Sequence, residues 1–354
     1  VDIESVRRAL STVGQTPTGE LTLRRVGLGQ SNLTYRLTDE RDGVWVLRRP
    51  PVGELLESAH DVLREARILT ALSGTGVPVP RVFGVLERGG VGDDGAPAFV
   101  MAWVDGTVVD RMPVARGLDL KSRRELAFSL VHTLAAVHRV DLAATGLDGL
   151  ASHAPYAPRQ LRRWSAQWER SRTCALPGID DLTSRLRESL PDERETTLVH
   201  GDFHLRNVIT SAGRVVAVLD WELSTLGHPL ADLGSLLAYW AEPGEQGLDD
   251  FLPSTLDGFP SRAEMVAEYA AASGRDVSDI GFWHALGLWK LAIIAEGVLR
   301  RATDDPRNRA AEGTPSPEGI AAVVARAHAV ADATGLGRPS ATAGVPAREK
   351  GTHS

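Results

Sequence analysis

The stretch LVHGDFHLRNVITSAGRVVAVLDWE, residues 198–222, decides how the chain is read. Asp202 and Asn207 stand five apart in a loop. Residues 208–210 and 215–219 then read as two short strands joined by SAGR, and Asp220 follows the second. One carboxylate, one amide oxygen and a second carboxylate are thereby brought round a single concave spot. Magnesium takes oxygen ligands in octahedral geometry and shares its shell with substrate phosphates, so Asn207 and Asp220 are suited to hold it. That leaves Asp202 free to orient and deprotonate an attacking hydroxyl.

Upstream of this segment the pattern changes twice. Residues 21–26, 33–38 and 44–48 read as strands separated by GLGQSN (27–32) and DERDG (39–43), both rich in turn residues. Leu55, Ala59, Val62, Ala66, Leu69 and Leu72 then recur at spacings of four and three, one face of a helix. Proline holds VPVPR (77–81) extended, and residues 82–86 and 98–104 read as two more strands. Beyond Asp105 the periodicity is helical over 122–140, 159–172, 184–190, 262–273, 281–302 and 318–334. The fold class expected is α+β: a small sheet-plus-helix lobe (1–104) joined near 103–106 to a larger helical lobe (105–338). The Gly-, Pro-, Ser- and Ala-rich tail, 339–354, is expected to be disordered.

Composition narrows the function classes. The chain has 354 residues, 43% of them apolar and 24% charged, which is ordinary globular usage. Its net charge of −7 argues against a dedicated nucleic-acid binder. The single cysteine, Cys174, cannot form an intrachain disulfide, as is usual for a cytoplasmic protein. The N-terminal VDIESVRRAL is charged and amphipathic, unlike a signal peptide. The apolar run 285–299 is interrupted by Lys290 and Glu296, so no membrane span is expected. Only Lys121, Lys290 and Lys350 are lysines among 39 basic residues, so a phosphate site here must use arginine.

His200-Gly201-Asp202-x-x-x-x-Asn207 followed by Leu219-Asp220-Trp221 resembles the aminoglycoside phosphotransferase and choline kinase superfamily, whose members share the protein-kinase-like fold. The run GQSNLTY, VLRRPP, VPVPRVFGVLE, VMAWVDG, HGDFHLRN and LDWELSTLGHPLADLG is similar to the branch found beside, or fused to, acyl-CoA dehydrogenases. The resemblance covers roughly residues 20–300 and implies ATP and Mg²⁺ as cofactors, with Asp202 as catalytic base and Asn207 and Asp220 as metal ligands. It places Gly29, Gln30, Ser31 and Asn32 over the ATP phosphates. Arg48 stands at the usual position of the third-strand lysine, with Glu65 as its partner, and the segment from Met101 to Val104 is placed at the adenine. Strand alternation puts Val46 and Arg48 on one face and Arg49 on the other. Asp232 is expected to buttress the catalytic loop, His200 to bond backbone, and Glu222 to lie at the surface.

Other readings compete. His200, Asp202 and His204 alternate as metallohydrolase ligands do, but the remaining histidines are scattered singly. The arginine at position 48 suggests a nucleotide-binding pseudokinase without turnover, against which stand the intact Asp202, Asn207 and Asp220. The partner expected is a small molecule bearing a hydroxyl. Glu242, Glu245, Asp249, Asp250 and Asp257 offer an acidic wall for an aminoglycoside. The apolar, aromatic helix FWHALGLWKLAIIAEGVLRRA suits an acyl chain with an anionic head at least as well as an amino sugar, with most of its apolar face expected to be core. The resemblance implies a hydroxyacyl substrate, free or as its CoA thioester, and a functional link to an acyl-CoA dehydrogenase.

Overall fold

Asp2 caps the first helix, α1 (Ile3–Thr12), by accepting from the backbone N–H groups of Glu4 and Ser5. Three strands follow, β1 (Leu21–Val26), β2 (Leu33–Asp39) and β3 (Val44–Arg49), then helix α2 (Ser58–Leu72) and strands β4 (Val82–Leu86) and β5 (Ala98–Ala102). A computed structural model supplies these coordinates and describes residues 2–27, 32–50, 58–86, 91, 96–173, 176, 178–304 and 314–337. Gly29, Gln30, Ser31, Cys174 and the tail 339–354 lie outside the described residues.

The five strands form one antiparallel sheet in the order β1-β2-β3-β5-β4. Period-two alternation gives it two different faces. Leu37, Trp45, Leu47 and Val100 pack against Val6, Ala9 and Leu10 of α1. Val46, Phe99 and Met101 face the other way and join Val62, Ala66 and Leu69 of α2 in the larger core. Arg48 shares the face of Val46. Arg49 shares the α1 face and donates its buried Nη1 to the Val91 carbonyl at 2.8 Å. β5 stops at Ala102, two residues short of the strand expected over 98–104. The chain then crosses to the second lobe, where Thr107 and Thr210 exchange backbone hydrogen bonds of 2.8 Å in both directions.

The second lobe contains α3 (Met112–Gly117), α4 (Leu120–Val137), α5 (Tyr156–Ser171), α6 (Ile179–Glu188), β6 (Thr197–Val199), β7 (Val208–Ser211), β8 (Arg214–Val218), β9 (Thr225–Gly227), α7 (Leu230–Tyr239), α8 (Arg262–Ser273), α9 (Ile280–Asp304) and α10 (Pro317–Ala333). The architecture is α+β and two-lobed. α7 and α9 approach so closely that only glycine fits at the crossing. A Cβ on Gly234 would stand 2.2 Å from the Trp283 carbonyl oxygen, and one on Gly287 2.6 Å from that of Gly234. α9 is long and apolar enough to cross a membrane, so Lys290 and Glu296 do not exclude it by themselves. Packing decides its place: 83% of its most apolar stretch is buried inside the fold. The apolar face that suited an acyl chain is therefore core, with Trp283, Leu288 and Trp289 fully buried.

Candidate active site

The loop after β6 is built around one buried carboxylate. Asp232, at the start of α7, accepts from the backbone N–H of His200 at 2.7 Å and of Gly201 at 2.8 Å. His138 Nε2 lies 3.2 Å from the same carboxylate and is oriented by Tyr269 through Nδ1 at 2.7 Å. Burial pushes the Asp232 pKa up, but these bonds outweigh it and hold the group below its ordinary value. Gly201 has φ +86°, and a Cβ there would stand 2.6 Å from the Leu223 carbonyl oxygen. The tight HGD turn therefore requires glycine. His200 bonds backbone on both sides. Its Nδ1 accepts from the Asp202 N–H at 3.2 Å, which leaves Nε2 as the donor to the Leu219 carbonyl at 2.9 Å. Burial lowers its pKa, which keeps that neutral tautomer in place.

With the backbone fixed, the side chains converge. Asn207 donates Nδ2 to Asp202 Oδ2 at 3.0 Å and to the Asp202 carbonyl at 2.8 Å. Its own carbonyl accepts from Leu219 N–H at 2.8 Å, which ties the end of β8 to the loop. Asp220 follows in the left-handed region at φ +63°, a conformation aspartate tolerates better than most residues. Arg48 reaches this carboxylate from the other lobe. Its Nη2 donates to Asp220 Oδ1 at 2.6 Å, its Nε to Glu65 Oε2 at 2.6 Å, and its Nη1 to Thr34 Oγ1 at 3.1 Å. Each of the three guanidinium nitrogens thus has a partner of its own, in the fixed plane that arginine supplies. Glu222 is half-buried in the cleft, not at the surface as expected, and accepts from Asn32 Nδ2 at 3.1 Å. Arg64 of α2 bonds the backbone carbonyls of Glu222 and Ser224.

Asn32, Arg48, Glu65, Asp202, Asn207 and Asp220 are thus linked around one cleft between the lobes. Met101 is buried opposite Val46, the same-face neighbour of Arg48, and Val104 is half-buried beyond the end of β5. Asp202 has two further neighbours, one from its own loop and one from α7. Tyr239 donates its hydroxyl to Oδ1 at 3.3 Å, and His204 Nε2 lies 3.4 Å from Oδ2. The two rings lie against each other with centroids 4.1 Å apart and planes tilted by 31°. Burial alone would raise the Asp202 pKa, but His204 above all, with Lys290 and His200, holds the carboxyl well below the usual carboxylate range.

The profile of the phosphotransferase enzyme family matches residues 22–278, a span that contains all of these groups except Lys290. The chain belongs to the phosphotransferase enzyme family. It is similar to a putative aminoglycoside phosphotransferase from Ralstonia eutropha, 30% identical with a TM-score of 0.71, covering 94% of this chain and 97% of that one. An aminoglycoside phosphotransferase in ternary complex with ADP and hygromycin B, 13% identical, shares the fold with a TM-score of 0.60 and covers 94% and 99% of the two chains. Acyl-CoA dehydrogenase family member 10 of Mus musculus is 37% identical over 298 residues. That match covers 82% of this chain and only 27% of the mouse protein's length. The fold is therefore protein-kinase-like.

Three of the five acids between Glu242 and Asp257 are neutralised by arginines. Glu242 and Glu245 pair with Arg262 at 3.1 and 2.5 Å, and Glu245 also faces Arg326 at 3.3 Å. Asp249 pairs with Arg206 at 2.9 Å, and the same guanidinium lies 4.2 Å over the Phe251 ring. These arginines are 17 to 81 residues away in sequence, so the acidic spacing alone gave no sign of them.

Proposed function

We propose that the chain is an ATP- and Mg²⁺-dependent O-phosphotransferase that phosphorylates a hydroxyl of a small hydroxy acid or its CoA thioester. The observation that carries this is the Arg48–Asp220 contact of 2.6 Å together with the Asn207–Asp202 contact of 3.0 Å. They bring a phosphate-binding cation, two oxygen ligands and a base to one cleft. The donor set fits magnesium. Asn207 spends its Nδ2 on Asp202, leaving its amide oxygen to the cleft, and Asp220 keeps Oδ2 outside its bond to Arg48. A hard cation takes such oxygens and completes its shell with phosphates. Mg²⁺ held there supplies neutralisation of the charge on the transferring group.

The chain's own residues do the rest. Asp202 accepts the acceptor's hydroxyl proton at the oxygen that Tyr239 now occupies. Arg48, steadied by Glu65, offers its guanidinium to the α/β-phosphates in place of a lysine. Asn32, held by its bond to Glu222, stands at the phosphate side of this group.

Two findings favour an acceptor of the acyl class over a polycation. Of the acids that would greet an aminoglycoside, Glu242, Glu245 and Asp249 are engaged by Arg206, Arg262 and Arg326. The name of the mouse relative points to acyl-CoA chemistry, in which a phosphorylatable hydroxyl means a hydroxyacyl group. The same relative supports a functional link to an acyl-CoA dehydrogenase.

The deciding experiment follows ADP release with Mg²⁺-ATP across hydroxyacyl-CoAs, free hydroxy acids and aminoglycosides, with Asp202→Asn as blank. Turnover on the acyl class, absent in the variant, is the expected result. Turnover on aminoglycosides alone overturns the acceptor, and nucleotide binding without turnover on any class returns the pseudokinase reading. In the same assay Asp220→Ala is expected to weaken Mg²⁺-nucleotide binding itself. Unchanged nucleotide affinity in a magnesium titration would remove Asp220 from the metal site.

A further inference from the structure

Lysine is so rare in this chain that its placement is informative. Of the three, Lys121 is exposed on α4 and Lys350 lies outside the described residues. Lys290 sits mid-way along α9 and is 9% exposed. Its Nζ donates to the Gly201 carbonyl oxygen at 2.6 Å and stands 5.4 Å from the centre of the Trp164 ring. Beside it is a small cavity lined by Tyr156, Gln160, Ser235 and Trp283. Among the described residues no carboxylate lies within ion-pair distance of the ammonium. Burial draws its pKa down, against the more distant pull of Asp202 and Asp232. A buried ammonium costs several kcal/mol of desolvation, so a purely apolar packing role would be better served by leucine or methionine.

We infer that Lys290 is a positioning residue, which grips the Gly201 carbonyl and so fixes the direction in which Asp202 presents its carboxylate. The inference rests on Asp202 being the base. Its physical basis is the rigidity of the peptide unit: the Gly201 carbonyl and the Asp202 N–H belong to one plane. Lys290 holds the oxygen end of that plane, and His200 Nδ1 holds the N–H end at 3.2 Å. Asp232 pins only the two preceding peptides, through the N–H groups of His200 and Gly201. Glycine at 201 offers the least intrinsic resistance to rotation of any residue. Without the ammonium, the plane that carries the Asp202 Cα is held at one end alone. A charge-assisted bond is about twice as strong as a neutral one, which gives lysine its advantage at this buried point.

The test compares Lys290→Met, which keeps the reach and removes the donor, with Lys290→Gln, which keeps a neutral donor. Displacing a reacting group by about 1 Å can cost about 10²-fold in rate. Lys290→Met is therefore expected to lose about 10- to 100-fold in kcat, with KM for ATP and directly measured nucleotide affinity within about twofold of the wild type. Lys290→Gln recovers part of the loss. A wild-type kcat in Lys290→Met, or equal losses in both variants accompanied by lost nucleotide binding, overturns the inference. Hydrogen exchange at the Asp202 amide supplies a readout that needs no acceptor. It is expected to be faster in Lys290→Met than in Lys290→Gln, and equal protection in the two overturns the positioning role. Failure of the phosphotransfer reading is seen separately, as a wild-type protein that does not bind Mg²⁺-ATP.

Discussion

Asp202→Asn is expected to lose about 10²–10⁴-fold in turnover, the usual cost of removing a general base, while binding Mg²⁺-nucleotide nearly as the wild type does. The two effects separate because Asp202 is held away from the nucleotide side of the cleft. Its oxygens are engaged by Tyr239, Asn207 and His204, whereas Arg48 faces Asp220 and Glu65. The depressed pKa of Asp202 does not argue against the role. In a loose phosphoryl-transfer transition state little proton movement has to precede bond breaking, so positioning the hydroxyl matters more than the strength of the base. The asparagine keeps the shape of the side chain but places an amide beside two existing donors, so a modest loss of acceptor affinity should accompany the fall in kcat. Steady-state rates together with calorimetric titration of nucleotide check both halves. Normal turnover in the variant would exclude Asp202 as the base, and parallel loss of nucleotide binding would make its role structural.

The parts of this site that could be read in the sequence are those whose geometry is local. Asp202 and Asn207 lie within one turn of chain, and the β7–β8 hairpin returns Asp220 to them at short range. Strand parity was enough to separate Arg48 from Arg49, because two residues of a strand cannot face the same way. Tyr239 and Lys290 reach the Asp202 loop from 37 and 89 residues away, and neither position carries a local pattern that a loop contact would require. α7 was missed as a helix because LADLGSLLAY is apolar almost all round, so it shows no contrast of faces to count. The acids of the 241–260 segment looked like a binding wall for the opposite reason. Their spacing was visible, but the arginines that neutralise three of them come from α8, α10 and the catalytic loop. The apolar residues of α9 were equally visible, and only packing shows that they are core.

Arg48→Met is expected to weaken nucleotide binding by about 10- to 100-fold, since a hydrogen bond to a charged group contributes about 1.5–3 kcal/mol. It should also destabilise the fold, and the pH dependence of that loss identifies its cause. Glu65 is 2% exposed, and burial already pushes its pKa above the ordinary value, with Arg48 pulling against that rise. Removing Arg48 leaves a buried carboxylate without its guanidinium, a change that typically costs about 3–5 kcal/mol. For an acid whose folded-state pKa is raised, the penalty is absent below the unfolded-state value of about 4.3. It grows as pH rises through the folded-state pKa. The stability deficit of Arg48→Met should therefore be small in acid and large at neutral pH, in the direction that loss of an ordinary carboxylate ion pair gives, but with the change reaching to higher pH because the Glu65 pKa is raised. Adding Glu65→Gln to the variant should recover most of the neutral-pH stability while leaving nucleotide affinity low, because the amide no longer has to lose a proton to be buried. Thermal unfolding across pH, set beside nucleotide titration of the single and double variants, separates the two functions of the arginine. A deficit that did not vary with pH would mean that Glu65 is not the group left exposed to the loss. Recovery of nucleotide affinity in the double variant would show that Arg48 serves the fold alone, and the phosphate would then have to be held by some other cation in the cleft.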